Sequence, residues 1–259
     1  MKIDKVLWAS SPEYSDFWNI NSMIHNKLLG LDCVLLFYGK KKDYDLSEKY
    51  GTIIECDFEH SDNKLPQLVW NKWQHTASEP ETTWLIGDID QIPLQKFHFI
   101  DQIKYVTDDF YVHLAEDAFT TDWKFTRERL VGHYHVAKGK VFSEALDLKS
   151  KTLLDHVKTM LKTSKLENKP IWAYEEWYTA DLIKKNKYLN KFKGFNRPFE
   201  RKICRSTGCR HDESLINHNH YVDIHCPRPY NSHSKIVNSI LDKFWGINSH
   251  EILNNSGTR

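Results

Sequence analysis

The sequence predicts a single α/β domain in which helices flank a mixed central sheet. Up to about residue 87, short apolar runs alternate with segments of helical periodicity, which is the order of a parallel α/β unit. Beyond that point, two strand-like runs follow one another with only a polar loop between them. No linker or internal repeat divides the 259 residues, a length that one large core can accommodate.

The N-terminal segment is predicted to be a β-α-β unit. The apolar run 5–9 is typical of a short strand, and Ser11 followed by Pro12 predicts the start of a helix. Apolar residues then recur at helical spacing until Gly30, which is placed to end the helix. The next apolar run, 33–38, is predicted as a second strand parallel to the first.

The alternation continues through the next three elements. A third strand is predicted at 52–56, a helix at 66–78 and a fourth strand at 82–87. The N-terminal half is therefore Rossmann-like, with the element order of nucleotide-binding domains. After it, 110–114 and 132–136 are predicted as strands without a helix between them, which indicates a mixed sheet.

The remaining elements are mostly helical. A long helix is predicted over 143–161 and a shorter one over 173–184. Near the C-terminus, 221–225 is predicted as a strand, and Ser232 is expected to cap the final helix. These helices are expected to flank the sheet.

The charge balance and the composition narrow the possible functions. With 36 Lys and Arg against 35 Asp and Glu, the formal net charge is +1, which argues against nucleic-acid binding. No apolar stretch is long enough for a membrane helix and no signal core follows the N-terminus, so we expect a soluble, cytoplasmic protein. Five cysteines without framework spacing favour reduced thiols. The 13% aromatic residues and 14 histidines are suited to lining a pocket.

The most informative chemical signal is the pair Asp88 and Asp90 at the end of the fourth predicted strand. In an extended backbone, residues i and i+2 point the same way, so the two carboxylates project together. Their repulsion requires a nearby positive charge, and a hard divalent cation that also holds a diphosphate is one way to supply it. A solvated turn whose aspartates cap backbone groups is the alternative.

The segment 84–94 around this pair resembles the GT-A family of nucleotide-sugar-dependent glycosyltransferases. In that family, an apolar strand runs into an Asp-x-Asp motif and then into an apolar-Pro-Leu segment, and this chain matches that order through Pro93 and Leu94. The order of predicted strands and helices resembles that of the family over residues 5–244, and only the Asp-x-Asp segment is specific to the family.

The resemblance implies one GT-A-like domain over residues 1–259. Within it, residues 1–95 would form the nucleotide-sugar-binding half and residues 96–246 the acceptor-binding half. Residues 247–259 would be a tail.

The resemblance also implies a bound metal ion. Asp90 would be a direct ligand, and Asp88 would contact the ribose, the sugar or the metal. Many members add a histidine after a late strand, which points to His225, with His233 as the reserve candidate. Because Mg²⁺ rarely takes imidazole ligands, His225 favours Mn²⁺, with Mg²⁺ as the second choice. A histidine at a strand end that binds no metal is the alternative.

The same resemblance implies where the nucleotide sugar binds. The end of the first strand meets the base in this family, which would place Trp8, Ala9 and Ser10 around it, and Asp57 is a further candidate. Arg228 is the candidate cation for the leaving diphosphate. Packing of Trp8 in the core is the alternative to a base contact.

Glu175 and Glu176 are the candidates for a general base. They lie at the N-terminal end of a predicted helix, where the helix dipole favours an ionised carboxylate. In inverting members of the family, an acid near this point removes the proton of the acceptor hydroxyl, so these residues favour inversion. The alternative is that these glutamates only cap the helix and interact favourably with its dipole, without a catalytic role.

A polar loop is the candidate lid over the nucleotide sugar. Residues 118–129 contain Trp123, Arg127 and Arg129, which suit contact with a sugar or a phosphate. A closed lid would keep water away from the reacting sugar. An exposed polar hairpin is the alternative.

Together these observations predict a metal-dependent transferase that moves a sugar from a nucleotide-diphosphate donor, with a UDP-sugar favoured, to a saccharide hydroxyl. A non-enzymatic carbohydrate-binding protein is one alternative. A sugar nucleotidyltransferase is another, but that class normally carries glycine and a cation in the loop after its first strand, and residues 9–13 contain neither.

A structural zinc site is the alternative for the C-terminal region, where cysteines and histidines are crowded. The candidate ligands are Cys204, Cys209, His211, His218, His220, His225 and Cys226. The spacing Cys-x4-Cys-x-His lacks the Cys-x2-Cys pair of common zinc sites, which weakens this alternative.

Overall fold

A mixed sheet forms the centre of the protein in a computed structural model, which describes residues 1–59, 63–116, 128–197, 199–216, 218 and 220–246. The strands in these residues are β1 (Lys5–Ser10), β2 (Asp32–Phe37), β3 (Gly51–Glu55), β4 (Thr83–Ile86), β5 (Gln91–Pro93), β6 (Tyr111–His113), β7 (His135–Lys138), β8 (Phe192–Gly194), β9 (Lys202–Cys204) and β10 (Asp223–His225). The main sheet has the order β3-β2-β1-β4-β7-β6-β8. Strands β1 to β4 are parallel, and β7 runs antiparallel to β4 and β6, which confirms the predicted mixed sheet.

Helices cover both faces of this sheet. They are α1 (Trp18–Leu29), α2 (Lys64–Thr76), α3 (Lys96–Phe99), α4 (Gly139–Ala145), α5 (Leu153–Leu166), α6 (Ile171–Lys185), α7 (Glu213–Ile216) and α8 (Tyr230–Trp245). The predicted end of α1 is confirmed, because Gly30 adopts a φ of 72° and donates its N–H to the Asn26 carbonyl. None of the helices in the described ranges combines the length and the apolar character that a bilayer crossing requires.

A small sheet of the order β5-β10-β9 joins the segment that follows β4 to the C-terminal part of the chain. Strand β5 begins directly after the Asp-x-Asp pair, and β10 lies antiparallel to it with His225 opposite Gln91. The amide of Cys226 also donates to the Asp90 carbonyl at 2.8 Å. This pairing brings residues from the C-terminal part of the chain beside the Asp-x-Asp segment.

Strand β1 is buried on both faces, so its alternate residues belong to two different cores. Val6 and Trp8 pack on the side of α1, whereas Leu7 packs on the side of α2. Among the described tryptophan side chains, five are at most 1% exposed: Trp8, Trp18, Trp70, Trp73 and Trp84. Much of the aromatic excess therefore fills the two cores, where large rings contribute most of the apolar area.

The predicted single helix over 143–161 is wrong, because the chain forms α4 and α5 with a break between them. Asp147 adopts a φ of 61°, which an α-helix cannot contain. Thr152 then starts α5 with a capping box, in which its hydroxyl and the Asp155 carboxylate each accept from the other residue's backbone N–H. The local cap overrides the apolar periodicity that continues through the break.

Several other boundaries also differ from the prediction, and two of them have a clear physical cause. Strand β7 begins at His135 and not at residue 132, because Tyr134 adopts a φ of 64° and turns the preceding residues out of the sheet. Helix α8 begins at Tyr230 and not after Ser232, because Asp16 accepts the N–H of Asn231 at 3.0 Å and so caps the helix from another part of the chain.

The start of α4 provides a test of the packing between α4 and the end of α2. A Cβ atom on Gly139 would lie 2.2 Å from the Thr76 carbonyl oxygen and 2.4 Å from that of Glu79. Because both oxygens belong to the backbone, Gly139→Ala must displace α4, and we expect the free energy of unfolding in urea to fall by about 1–3 kcal/mol.

The matched control is Lys140→Ala at the next position. It removes an exposed ion pair with Glu81, so the free energy of unfolding should change by less than about 0.5 kcal/mol. Equal stability of wild type and Gly139→Ala would contradict the close contact.

Candidate active site

A cleft of about 490 Å³ lies at the carboxyl ends of β1 and β4, beside the small sheet. Strand β1 brings Ala9 and Ser10 to its wall, and the turn after β4 brings Asp88 and Asp90. Parallel strands end at the same sheet edge, which is why these distant segments meet. The other predicted residues in the wall are Glu175, Glu176, His225 and Arg228.

The Asp88 carboxylate is held through both oxygens. Lys72, whose side chain is only 3% exposed, donates from Nζ to Asp88 Oδ1 at 3.1 Å and to the Gly132 carbonyl at 3.2 Å. The second oxygen, Oδ2, lies 3.4 Å from His133 Nδ1. Burial disfavours the charged carboxylate, but Lys72 and His133 outweigh burial and lower the pKa of Asp88 below its ordinary value. Asp88 is therefore ionised at neutral pH.

The Asp90 carboxylate faces three groups that carry or can carry positive charge. Its Oδ2 lies 2.7 Å from Arg205 Nη1, 3.4 Å from His225 Nε2 and 3.4 Å from Arg228 Nε. Burial opposes ionisation here too, but His225 and Arg205 lower the pKa of Asp90 overall. Arg228 also lies over the Tyr14 ring, 4.8 Å from its centroid, which keeps it at the mouth of the cleft.

The predicted metal ligands are only partly assembled. Carboxylate oxygens and an imidazole suit Mn²⁺, and Asp90 and His225 face each other closely enough to share an ion. Asp88 turns instead toward Lys72 and His133. Across the part of the chain that the structure describes, no three His, Cys, Asp or Glu side chains converge as ligands. The donor chemistry of Asp90 and His225 suits a metal ion, but the described residues bring only these two of the predicted ligands face to face.

The two candidate bases have different surroundings. Glu175 is packed against Gly132, where a Cβ atom would lie 2.1 Å from Glu175 Oε1, and its Oε2 has no hydrogen-bond partner among the described residues. Burial raises the pKa of Glu175 to about 8, with Lys72 acting in the opposite direction. Glu176 accepts from the Arg129 guanidinium, and burial raises its pKa to about 7. Glu175 is therefore the carboxyl group available to a substrate.

Several candidates lie away from the cleft. Trp8 was predicted near the base but is 1% exposed and packs edge-on against His25 and Trp18, because its position on β1 faces the core. Asp57 does not line the cleft: its side chain is 88% exposed and its Oδ1 lies 3.6 Å from Lys40 Nζ, so its contact with the nucleotide stays a prediction. His233 lies on α8 and does not line the cleft.

Most of the predicted lid lies outside the described residues, including Trp123 and Arg127. Its last residue, Arg129, is described and pairs with Glu176. The guanidinium of Arg129 also lies 4.4 Å from the centroid of the Trp177 ring.

The candidate zinc ligands do not come together in the part of the chain that is described. Cys204 Sγ lies 3.9 Å from His225 Nδ1, but His211 faces Glu213 at 3.4 Å and His218 contacts the Ser214 carbonyl. All five cysteines are free thiols. The crowding in the sequence is therefore not a crowding of ligands in space.

Sequence reasoning missed Lys72, His133 and Arg205. Lys72 carried a recognisable signal, because it lies between Trp70 and Trp73 on the face of α2 that is buried. A lysine at such a position needs a buried acid as its partner. His133 directly precedes Tyr134, whose positive φ sets the course of the chain there, and Arg205 directly follows β9, which is placed by its pairing with β10. No sequence pattern marked either residue.

The cleft also differs from the ring-lined pocket that the composition suggests. Of the described Phe, Trp and Tyr side chains, only Tyr14 lines it, together with the imidazoles of His133 and His225. The other lining residues are mainly charged or small, apart from Ile89, Gln91 and, on α2, Leu65, Leu68 and Val69.

No protein-family model and no curated protein sequence matches the chain. Solved structures do match it. The glycosyltransferase GlyE of Streptococcus pneumoniae TIGR4 aligns at 12% identity and a TM-score of 0.53 over 98% of this chain and 63% of GlyE. The galactosyltransferase LgtC, in complex with donor and acceptor sugar analogues, aligns at 9% identity and a TM-score of 0.51. The alignment covers 98% of this chain and 95% of LgtC. The bifunctional glycosyltransferase WbbM aligns at 11% identity and a TM-score of 0.51, over 97% of this chain and 51% of WbbM.

This chain has the fold of these glycosyltransferases. The match confirms the predicted α/β fold class with its mixed sheet and flanking helices. The chain spans about 63% of GlyE. At such low sequence identity the likeness establishes the fold, and the activity has to be argued from the cleft.

The unusual environment of Glu175 predicts an effect on stability. Its carboxyl keeps its proton up to about pH 8 in the folded chain, whereas an exposed glutamate releases it near pH 4.5. The folded state therefore binds more protons than the unfolded state between these values, and wild-type stability falls as the pH rises through this window. Glu175→Gln lacks this effect, so at pH 8 its Tm should exceed that of wild type by about 2–6 °C.

The difference in Tm should vanish near pH 4, where both side chains are neutral in both states. Glu81→Gln is the control, because Lys140 and Lys138 lower the pKa of this exposed acid and its replacement should bring no gain at pH 8. A Glu175→Gln variant that melts below wild type at pH 8 would contradict the buried, unpaired carboxyl.

Proposed function

We propose that this protein is a glycosyltransferase that transfers a sugar from a nucleoside-diphosphate donor, with a UDP-sugar favoured, to a hydroxyl of a saccharide acceptor. The observation that carries the proposal is the arrangement around Asp90. Arg205, His225 and Arg228 surround one carboxylate at the carboxyl edge of the sheet, where α/β folds bind nucleotides. The shared fold supports the same class of activity.

The cations of the cleft suit a diphosphate leaving group. Negative charge grows on the diphosphate as its bond to the anomeric carbon breaks, and preorganised cations stabilise that charge. Arg205 and Arg228 have guanidinium groups that can donate two hydrogen bonds each to phosphate oxygens. Both side chains reach the cleft, at 27% and 35% exposure, so a ligand can contact them.

We propose that Asp90 and His225 hold a Mn²⁺ ion, with Mg²⁺ as the second choice. The ion would supply further positive charge at the diphosphate when bound. Asp88 is already neutralised by Lys72 and His133, so its role is to accept hydrogen bonds from the ribose or the sugar. This division explains why the two aspartates of one motif have different partners.

Glu175 is the proposed general base. It would take the proton of the acceptor hydroxyl while the acceptor oxygen bonds to the anomeric carbon and the bond from that carbon to the diphosphate breaks. Inversion at the anomeric carbon follows from such a single displacement and stays a prediction. Because its pKa is about 8, the carboxyl is mostly protonated at neutral pH and becomes a base as the pH rises.

Nucleotide binding can be tested by thermal stabilisation. UDP at about 100 times its Kd should stabilise the protein by about 2.7 kcal/mol, and the shift in Tm should be larger with Mn²⁺ than without it. Asp90→Asn should lose the Mn²⁺-dependent part of the shift, because a neutral amide is a poorer ligand. The same Tm measurement is made with other nucleoside diphosphates and with simple saccharides.

Asp57→Asn is the matched control, because it removes an exposed acid outside the cleft and should keep the full shift. A shift that is unaffected by Mn²⁺ in wild type would overturn the metal proposal. Stabilisation by saccharides without any nucleotide would favour the non-enzymatic alternative.

The role of Glu175 can be tested by the rate of transfer and the configuration of the product. We expect the rate to rise with pH through about 8 in wild type, because the ionised fraction of Glu175 grows. Glu175→Gln should lower kcat by about 10²–10⁴-fold. Glu176→Gln should lower it less, because Arg129 already occupies that carboxylate. Retained configuration, read from the anomeric proton by NMR, would contradict the single displacement.

A further inference from the structure

A line of buried polar side chains runs from β10 to the cleft behind Asp88. Asp223, which is fully buried, accepts from Arg197 Nη1 at 3.2 Å. Arg197, which is 1% exposed, places Nη2 at 2.9 Å from His133 Nε2. His133 Nδ1 in turn lies 3.4 Å from Asp88 Oδ2. The line connects the small sheet to the carboxylate that we place against the nucleotide sugar.

The contact with Arg197 fixes the proton of the His133 ring. A guanidinium group has hydrogen-bond donors and no acceptor, so Nε2 of His133 has to present its lone pair. The neutral ring then carries its proton on Nδ1, the atom that faces Asp88. His133 is consequently a donor to the carboxylate, with the orientation of the ring set from the far side.

The amide of Gln91 is compatible with this assignment after one change. Its nitrogen lies 3.1 Å from His133 Nδ1, and its Oε1 has no hydrogen-bond partner among the described residues. Two donors would repel each other, whereas a half-turn of the amide lets the oxygen accept from Nδ1. Arg197 decides the tautomer because a guanidinium cannot exchange a donor for an acceptor, and an amide can.

The anchor of this line is held firmly. The hydroxyl of Tyr134 donates to the second oxygen of Asp223 at 2.9 Å, and the Arg197 guanidinium lies 5.6 Å from the centroid of the Tyr134 ring. Tyr134 directly follows His133 and adopts the left-handed φ that directs His133 into the cleft. The same residue therefore shapes the turn and secures the arginine behind it.

We propose that Arg197 and His133 are positioning residues that hold the Asp88 carboxylate in the orientation used for the nucleotide sugar. The role of Asp88 rests on the proposed function, but the position of the ring proton does not. His133 donates to Oδ2 while Lys72 donates to Oδ1, so the carboxylate is fixed at both oxygens before substrate arrives.

The tautomer can be measured without any substrate. Protein labelled with ¹⁵N in histidine gives separate ring-nitrogen signals for the two tautomers, and the spectrum of His133→Asn identifies the signals of His133. We expect the proton on Nδ1 and a lone pair on Nε2. A proton on Nε2, or a doubly protonated ring at neutral pH, would overturn the proposal.

A pair of conservative variants tests the positioning role. The amide nitrogen of Asn takes the place of Nδ1 and can still donate to Asp88, whereas the amide of Gln takes the place of Nε2 and can only meet Arg197. At equal Tm, we expect kcat/KM of His133→Asn to exceed that of His133→Gln by about tenfold. Equal kcat/KM values for the two variants, or a higher value for His133→Gln, would overturn the positioning role.

The two experiments separate this inference from the proposed function. If wild type transfers no sugar from any nucleotide, the function fails, yet the NMR spectrum still decides whether Arg197 sets the proton of His133. If transfer occurs and the ring carries its proton on Nε2, the function stands and the positioning role fails.

Discussion

The ammonium group of Lys72 balances a cluster of acids that could not otherwise share one buried cleft. Burial alone would lower the pKa of this lysine, but Asp88, Glu175 and Asp90 outweigh burial and raise it. An unpaired buried charge costs several kcal/mol, so the acids and the lysine depend on each other. Since Lys72 also holds the Gly132 carbonyl, the same cation fixes the turn that carries His133.

From this balance the three carboxyl groups acquire different states. Asp88 and Asp90 are ionised because cations or imidazoles face them directly. Glu175 keeps its proton because burial raises its pKa by more than Lys72, which is paired with Asp88, lowers it. Separate environments for similar groups are what allow one cleft to bind a charged ligand and to move a proton. On the basic side of the cleft, Arg205 and Arg228 face the Asp90 carboxylate and remain partly exposed.

The fold was predictable because local patterns dominate in it. The β1-α1-β2 unit, Gly30 at the end of α1 and the mixed sheet all follow from periodicity and turn chemistry. The predicted helix over 143–161 failed because a cap at Thr152 and a left-handed residue at Asp147 interrupted an apolar pattern that continues across them. The predicted contact of Trp8 with the base was wrong, because Trp8 is buried in the core on the α1 side of β1. The sequence does not show which residues of a strand that is buried on both faces reach the cleft.

By itself, the sequence determined that Asp88 and Asp90 follow a buried strand and that Glu175 and Glu176 lie on a helix, because these are short-range features. The helix begins at Ile171, so the two glutamates lie beyond its first turn and not at the predicted N-terminal end. The tertiary structure alone decided which groups meet them. Lys72, His133, Arg197 and Arg205 come from elements 16 to 115 positions away from the acids they serve or support, and only sheet pairing and helix packing bring them together. Charge balance is a property of positions in space, so it could not be read along the chain.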